Sequence, residues 1–334
     1  MATLSGTLTL ADVASRMDPG GKAASIGEIL NQSNEVLNDI PWVEGNLPAG
    51  HQFSQRVSLP TPTWMTINAG VTPTVSATDR QSESVGILTA LSEVTKEVAE
   101  FGGNLSSTLM SEATPHLEAM AEEFAGTLFY GNVTTAPNEF HGFAPRYNST
   151  TGTTGQNIVT GGGAGSDNSS VWLVGWGKGK VYGIYPKGSK AGLEQLNRGL
   201  TSIDTTAGIG GAGARALAYQ TWFYWRCGLA VEDWRYAVRG CNLDISALVA
   251  KSSAADLFDV MIRMIHRVPN LSSCMPRFYV NRTVLEYLDI QARDDVQTGG
   301  QLGYKDVDGK TLRTFRGIPI RLVDQLTEAE ATIS

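Results

Sequence analysis

The stretch FGGNLSSTLMSEATPHLEAMAEEFAGTLFYGNVTTAPNEFHGFAPRYN, residues 101–148, decides the fold. Leu105, Leu109, Ala113, Leu117, Ala121, Phe124 and Leu128 recur at helical spacing. At 1.5 Å per residue, about 26 residues give a rod of roughly 39 Å. Pro115 falls inside the pattern. Either it kinks the rod, or Thr114 caps a fresh helix with Pro115 at its first position. Gly131 ends it, and the knot Asn138-Glu139-Phe140-His141-Gly142-Phe143-Ala144-Pro145 follows. A rigid rod preceded by segments with little of their own to fold around is the layout of a subunit that completes itself on its neighbours.

Upstream, residues 1–50 read as an arm. Short helical pieces are expected at Leu10–Met17 and Ile26–Leu37, the second with a Ser25/Glu28 capping box. Residues 51–86 read as an extended hairpin. Val57–Leu59, Trp64–Ile67 and Val71–Val75 are strand-like, with a turn at Asn68-Ala69-Gly70. Pro60, Pro62 and Pro73 exclude a central strand. A lone two-stranded hairpin is marginal in water, so this one is expected to dock on a neighbouring copy. Its apolar residues Phe53, Val57, Leu59, Trp64, Met65 and Ile67, with Trp42 from the arm, are the candidate interface. Their burial is expected only in the assembled state.

Ile87, Leu91, Val94, Val98 and Phe101 suggest a helix over 87–101. Beyond the rod, 149–170 is Gly-, Ser- and Thr-rich and reads as a surface loop. Val171–Val174 and Lys180–Tyr185 read as a hairpin around Gly175–Gly179. Residues 186–214 read as loop, and Thr221–Val231 with Arg235–Val238 as a second strand pair. Ala254–Val268 is a helix, Pro276–Val280 a strand, Asn281 the cap of a helix reaching Asp289, and Gly317–Val323 a final strand.

The chain has 334 residues, 42% hydrophobic and 18% charged, with a net charge of −7. That balance argues against a protein devoted to gripping nucleic acid, which carries a basic field. The 3 cysteines, Cys227, Cys241 and Cys274, are odd in number and widely spaced, and read as buried free thiols in a reducing compartment. There is no run long enough to span a membrane and no signal-peptide pattern.

Candidate chemistry is sparse. Gly208–Gly213 matches GxGxxG, but a polar run precedes it and the aromatic strand Thr221–Trp225 follows, so the context of a dinucleotide site is missing. The four histidines, His51, His116, His141 and His266, are isolated, and none forms an HExxH pair. His141, inside Phe-His-Gly-Phe, reads as a structural turn residue before a catalytic one. Asp294-Asp295 and Asp306-x-Asp308-Gly309 lack the closing Glu of a calcium loop. Trp222, Phe223, Tyr224, Trp225, Trp234 and Tyr236, interleaved with Arg226, Arg235 and Arg239, fit core and subunit contact better than base stacking on an acidic chain. No catalytic, cofactor or metal site is expected.

The order of arm, Pro-containing hairpin, long helix and Glu139-Phe140-His141-Gly142-Phe143 resembles the major capsid proteins of tailed bacteriophages, the Hong Kong 97-type fold. Trp172–Gly177, Arg226-Cys227-Gly228-Leu229-Ala230-Val231-Glu232-Asp233, Phe278–Arg282 and Arg316-Gly317-Ile318-Pro319-Ile320 are similar to strands of that family. The resemblance implies an α+β subunit: N-terminal arm 1–50, extended loop (E-loop) 51–86, peripheral domain 87–245 with the spine helix at about 105–130, and axial domain 246–334. Gly228–Val231 precedes Gly317–Ile320, the reverse of the family's order, which implies a permuted connectivity.

The implied function is self-assembly, through hexamers and pentamers, into an icosahedral head shell around double-stranded DNA held without sequence-specific binding. The implied partners are further copies, portal, separate scaffolding and decoration proteins, but no membrane. The implied place is the virion, after assembly in the host cytoplasm. Some family members cross-link through a lysine on the E-loop. No lysine lies between Lys22 and Lys96, so a shell joined non-covalently is expected. The alternatives are an α+β nucleotide- or ligand-binding enzyme using the Gly-rich loops, or a virion tail or decoration protein.

Overall fold

The computed structural model describes residues 34–101, 105–204, 215–250, 255–294, 302–307 and 310–334. The arm's expected helices before Ser33, and the Gly208–Gly213 and Asp294-Asp295 motifs in whole or part, lie outside them. Strands are β1 (Trp42–Glu44), β2 (Gly50–Ser58), β3 (Ala77–Ser84), β4 (Gly86–Thr95), β5 (Ile158–Thr160), β6 (Asn168–Trp176), β7 (Val181–Tyr185), β8 (Leu193–Asp204), β9 (Arg215–Val231), β10 (Ala237–Asp244), β11 (Met275–Val280), β12 (Leu302–Val307), β13 (Lys310–Phe315) and β14 (Ile318–Leu322). Helices are α1 (Lys96–Phe101), α2 (Leu105–Tyr130), α3 (Ile245–Ala250), α4 (Leu257–Arg267) and α5 (Arg282–Asp294).

Two units divide the chain. The smaller contains Ile87–Phe124 and Gly192–Arg226. Here β8 and β9 form a long antiparallel pair, Leu193↔Trp225 through Asp204↔Arg215, and β4 borders β9. Val94, Val98 and Ala99 form its core with Leu105, Leu109 and Tyr219, and the rings of Phe124 and Trp225 stack at 4.5 Å.

The helix expected over 87–101 is therefore a strand that turns into helix only at Lys96. Leu88, Ala90, Ser92 and Val94 are the covered positions, while Ile87 and Thr89 are exposed. That alternation is the period of two of a paired strand, and the ladder on β9 prevails over the accidental helical spacing. The loop expected over 186–214 is likewise replaced at 193–204 by β8.

The larger unit contains Asn34–Gly86, Ala125–Ala191 and Cys227–Ser334. Its sheet runs β12-β13-β14-β11-β6-β7 and continues to Gly228–Val231 of β9. β10 lies antiparallel to β6, β5 parallel to β10, and β1 parallel to β7. Two expected hairpins do not form. β6 and β7 meet only at the parallel pair Trp176↔Val181, because β6 is occupied by β10 and β11 and β7 pairs with β9. β10 pairs with β5 and β6, not with β9. Asn168–Ser170, expected in a loop, open β6 and are fully buried.

Helix α4 keeps its expected face: Leu257, Val260, Met261, Met264 and Ile265 are buried, and Asp256 accepts from the amides of Phe258 and Asp259 at its start. Asn281 Oδ1 caps α5 by accepting from the Val284 amide at 2.7 Å.

The rod forms as one 26-residue helix, α2, with Pro115 inside it, and Thr114 Oγ1 donates to the Met110 carbonyl. Its C-terminal turns bury Ala125, Leu128 and Phe129. The Phe140–Phe143 knot folds back to cap them. Gly131 N donates to Thr127 O, Gly142 N to Gly131 O, and Phe143 N to Leu128 O. A Cβ on Gly142 would sit 2.6 Å from Thr127 O, so only glycine fits this approach. Phe143 then joins Phe129, Trp172 and Trp176 in an aromatic column with ring separations near 6 Å. At the column's far end Trp176 Nε1 donates to Tyr279 Oη at 2.6 Å.

Candidate subunit interface

β2 and β3 form a two-stranded ribbon of their own, Gly50↔Ser84 to Ser58↔Ala77, separate from the main sheet. β3 (ATDRQSES) offers almost no apolar residue and is a strand because β2 pairs with it. Residues 59–76 carry no strand among them, against the expectation for Trp64–Ile67 and Val71–Val75. The three prolines deny donors to a ladder there. The tip turns at Thr66–Ala69, where Ala69 N donates to Thr66 O and Asn68 adopts a φ of 68°.

Nothing charged occurs from Val57 to Thr78. Over that span Val57, Leu59, Trp64, Met65, Ile67, Val71 and Val75 are exposed, with Trp64 at 104% and Ile67 at 93%. Single exposed apolar side chains are ordinary; seven of them in one uncharged run make this the candidate contact surface. Val71 and Val75 were not among the residues expected from sequence. The charge-free run was the signal that would have included them.

Two of the expected residues sit elsewhere. Phe53 is already buried within the chain, at 9% exposure, so it does not wait for a neighbour. It lies in β2 near the stem, with its ring 6.1 Å from that of His51. Trp42 is half-buried in β1 beside Gly183, whose missing Cβ leaves room for the indole.

The stem is fixed by side chains. Arg146 grips Glu83 with two bonds, Nη1–Oε1 at 2.5 Å and Nη2–Oε2 at 2.6 Å. Its Nε and Nη2 also donate to the carbonyls of Gly142 and His141. Gln55 Nε2 donates to Glu232 O at 2.6 Å. His51 Nε2 lies 3.1 Å from Tyr182 Oη, which donates to Glu232 Oε2. Apart from the local bonds of Arg146 to Gly142 and His141, these partners lie between 50 and 177 residues apart, and none was expected from sequence.

The other candidates take structural places. His141 half-buries in the knot. Burial, then the Arg146 cation, hold its pKa below the usual value. Arg226, Arg235 and Arg239 each face a carboxylate: Glu194, Asp233 and Glu330. Cys227 and Cys241 are buried free thiols, pushed up to about 12 and about 11 by desolvation, and Cys274 is half-buried. Among the described residues no cluster of His, Cys, Asp and Glu is placed to hold a metal, and no helix is long and apolar enough to cross a membrane.

A long helix whose end is sealed by an aromatic knot, a mixed sheet and a separate two-stranded hairpin with a bare apolar tip define an α+β capsid subunit of the Hong Kong 97 type. The chain belongs to the major capsid protein GP7 family, whose model matches residues 18–334. A chain in the structure of bacteriophage Epsilon15 is 28% identical, covers 98% of each chain and superposes with a TM-score of 0.77. A chain of the bacteriophage JBD30 capsid is 10% identical over 90% of this chain and 93% of that one, with a TM-score of 0.48. Comparison with curated proteins returns no match. The protein is thus a major capsid protein of a phage head, a component of the virion shell, in a family whose role is structural.

Proposed function

We propose that the 51–86 hairpin is the clasp through which copies of this chain join into hexamers, pentamers and finally a closed shell around packaged double-stranded DNA. The observation that carries it is the uncharged tip, with Trp64, Ile67 and five further apolar side chains bare in the single chain. Covering a few hundred Å² at ~25 cal/mol per Å² supplies several kcal/mol per contact before ordering costs. Each contact is then weak alone, and the closed shell is held by their number. The clasp is non-covalent, since no lysine lies between Lys22 and Lys96. Portal, scaffolding and decoration proteins complete the proposed set of partners.

Deletion of residues 60–75 tests this. The shortened chain is expected to fold and to give no closed particles by electron microscopy. Normal particles from it would end the clasp reading.

A further inference from the structure

The stem of the hairpin carries a device that the clasp reading does not require. β2 and β3 share no ladder with the main sheet, so their direction is set by the few bonds that tie them to the body, among them Gln55 Nε2 on Glu232 O and His51 beside Tyr182. Backbone bonds at the stem are few: Val85 N to Ala49 O, Leu47 N to Gly50 O and Gly45 N to Tyr185 O. The charged contact is the Glu83–Arg146 fork, with side chains only 9% and 16% exposed.

Arg146 also donates from Nε to the Gly142 carbonyl and from Nη2 to the His141 carbonyl. Those are the residues whose segment caps the last turn of α2, through Gly142 N on Gly131 O and Phe143 N on Leu128 O. One guanidinium therefore touches both the hairpin and the cap of the long helix. A planar fork fixes direction as well as distance, which a lysine would not.

From this geometry we infer that Arg146 is a positioning residue. Its bidentate bond to Glu83 aims the hairpin relative to the end of α2, and a shift of that helix end is passed to the tip. The leverage is large. Nine strand residues at about 3.3 Å each make an arm of about 30 Å, so a rotation of about 10° at the stem moves its end by about 5 Å. That is enough to separate a tip that meets its neighbour from one that misses.

The inference rests on the clasp reading for its consequence in assembly, but not for its first test. Hydrogen exchange on the unassembled full-length chain compares wild type with Glu83→Gln and Arg146→Lys. Amides of Gln52–Arg56 and Thr78–Ser82 are expected to exchange at least tenfold faster in Glu83→Gln, with Arg146→Lys in between and the amides of β6 and β11 unchanged. Unchanged exchange in the ribbon overturns the latch, and so does equal acceleration in β6 and β11, which would mean general loosening.

The assembly test follows on the same proteins. Glu83→Gln is expected to give misshapen or open particles at several-fold lower yield of closed shells. The reversed pair Glu83→Arg/Arg146→Glu is expected to recover part of that yield. Normal closed shells from a variant with a loosened ribbon would refute the aiming role, while the 60–75 deletion judges the clasp separately.

Discussion

The centre of the larger unit and the tip of its hairpin invert the usual placement of side chains. At the centre, Arg239 and Glu330 form an ion pair at 2.9 Å with each side chain only 5% exposed. At the tip, a fully exposed Trp64 stands among prolines and threonines with no charge nearby. The buried charges are satisfied. Arg239 donates to Ser170 Oγ and the Tyr147 carbonyl and lies over the Trp172 ring at 5.0 Å; Glu330 accepts from Tyr130 Oη. The apolar side chains of the tip stay exposed among the described residues. A charge buried inside is offset by local geometry, whereas on the proposed clasp the exposed apolar groups take their partner from a neighbouring copy.

The largest expected effect lies at the centre. Arg239→Met leaves the Glu330 carboxylate buried without its cation, and breaking such a pair costs about 3–5 kcal/mol. Denaturant unfolding of the unassembled chain should show a loss of that order. A loss below about 1 kcal/mol would mean that Ser170 and Tyr130 alone hold Glu330, and the contrast between the two regions would weaken.

The tip should respond the other way. Trp64→Ala removes a side chain that touches little in the single chain, so stability should stay within about 0.5 kcal/mol. Assembly should suffer: an aromatic anchor is worth about 2 kcal/mol, or roughly 30-fold in an association constant, read as a rise in the protein concentration needed for particles. Destabilised monomer with unchanged assembly would place Trp64 on its own body and reverse the assignment.

The same contrast explains what the sequence disclosed. Helix α4 was legible because it buries a repeating apolar stripe, and α2 because its apolar residues keep helical spacing although only its C-terminal turns are buried; the tip was legible because prolines and bare apolar residues coincide in one short run. The Asn168–Ser170 start of β6 was not. Its polar side chains are buried because Glu330 and Thr327, some 160 residues away, accept from Ser170 and Ser169. β3 was hidden for the opposite reason: seven of its eight residues face solvent, so no burial pattern marks it. β4 misled because Ile87, Leu91 and Val94 mimic helical spacing on a strand whose partner lies more than 100 residues onward. The latch pair, 63 residues apart, leaves no local trace at all.

The smallest expected effect falls on His141, which sits in the knot between the two regions. Its folded pKa lies below 6.5, lowered by burial first and by the Arg146 cation second. The unfolded chain therefore takes up this proton before the folded one does. The stability it contributes is fully present above the unfolded pKa and declines as pH falls from about 6.5 through the folded pKa. The thermal midpoint of the unassembled chain should drop modestly between about pH 7 and about pH 5.5, above the range where carboxylates dominate. His141→Asn should flatten that part of the curve, since the backbone carbonyl that Arg146 uses remains. Superimposable curves for wild type and variant would remove His141 as a source of acid sensitivity. A slope that steepens in Glu83→Gln would show that the imidazole feels the cation once its counter-charge is gone, and so connect the knot to the hairpin through Arg146.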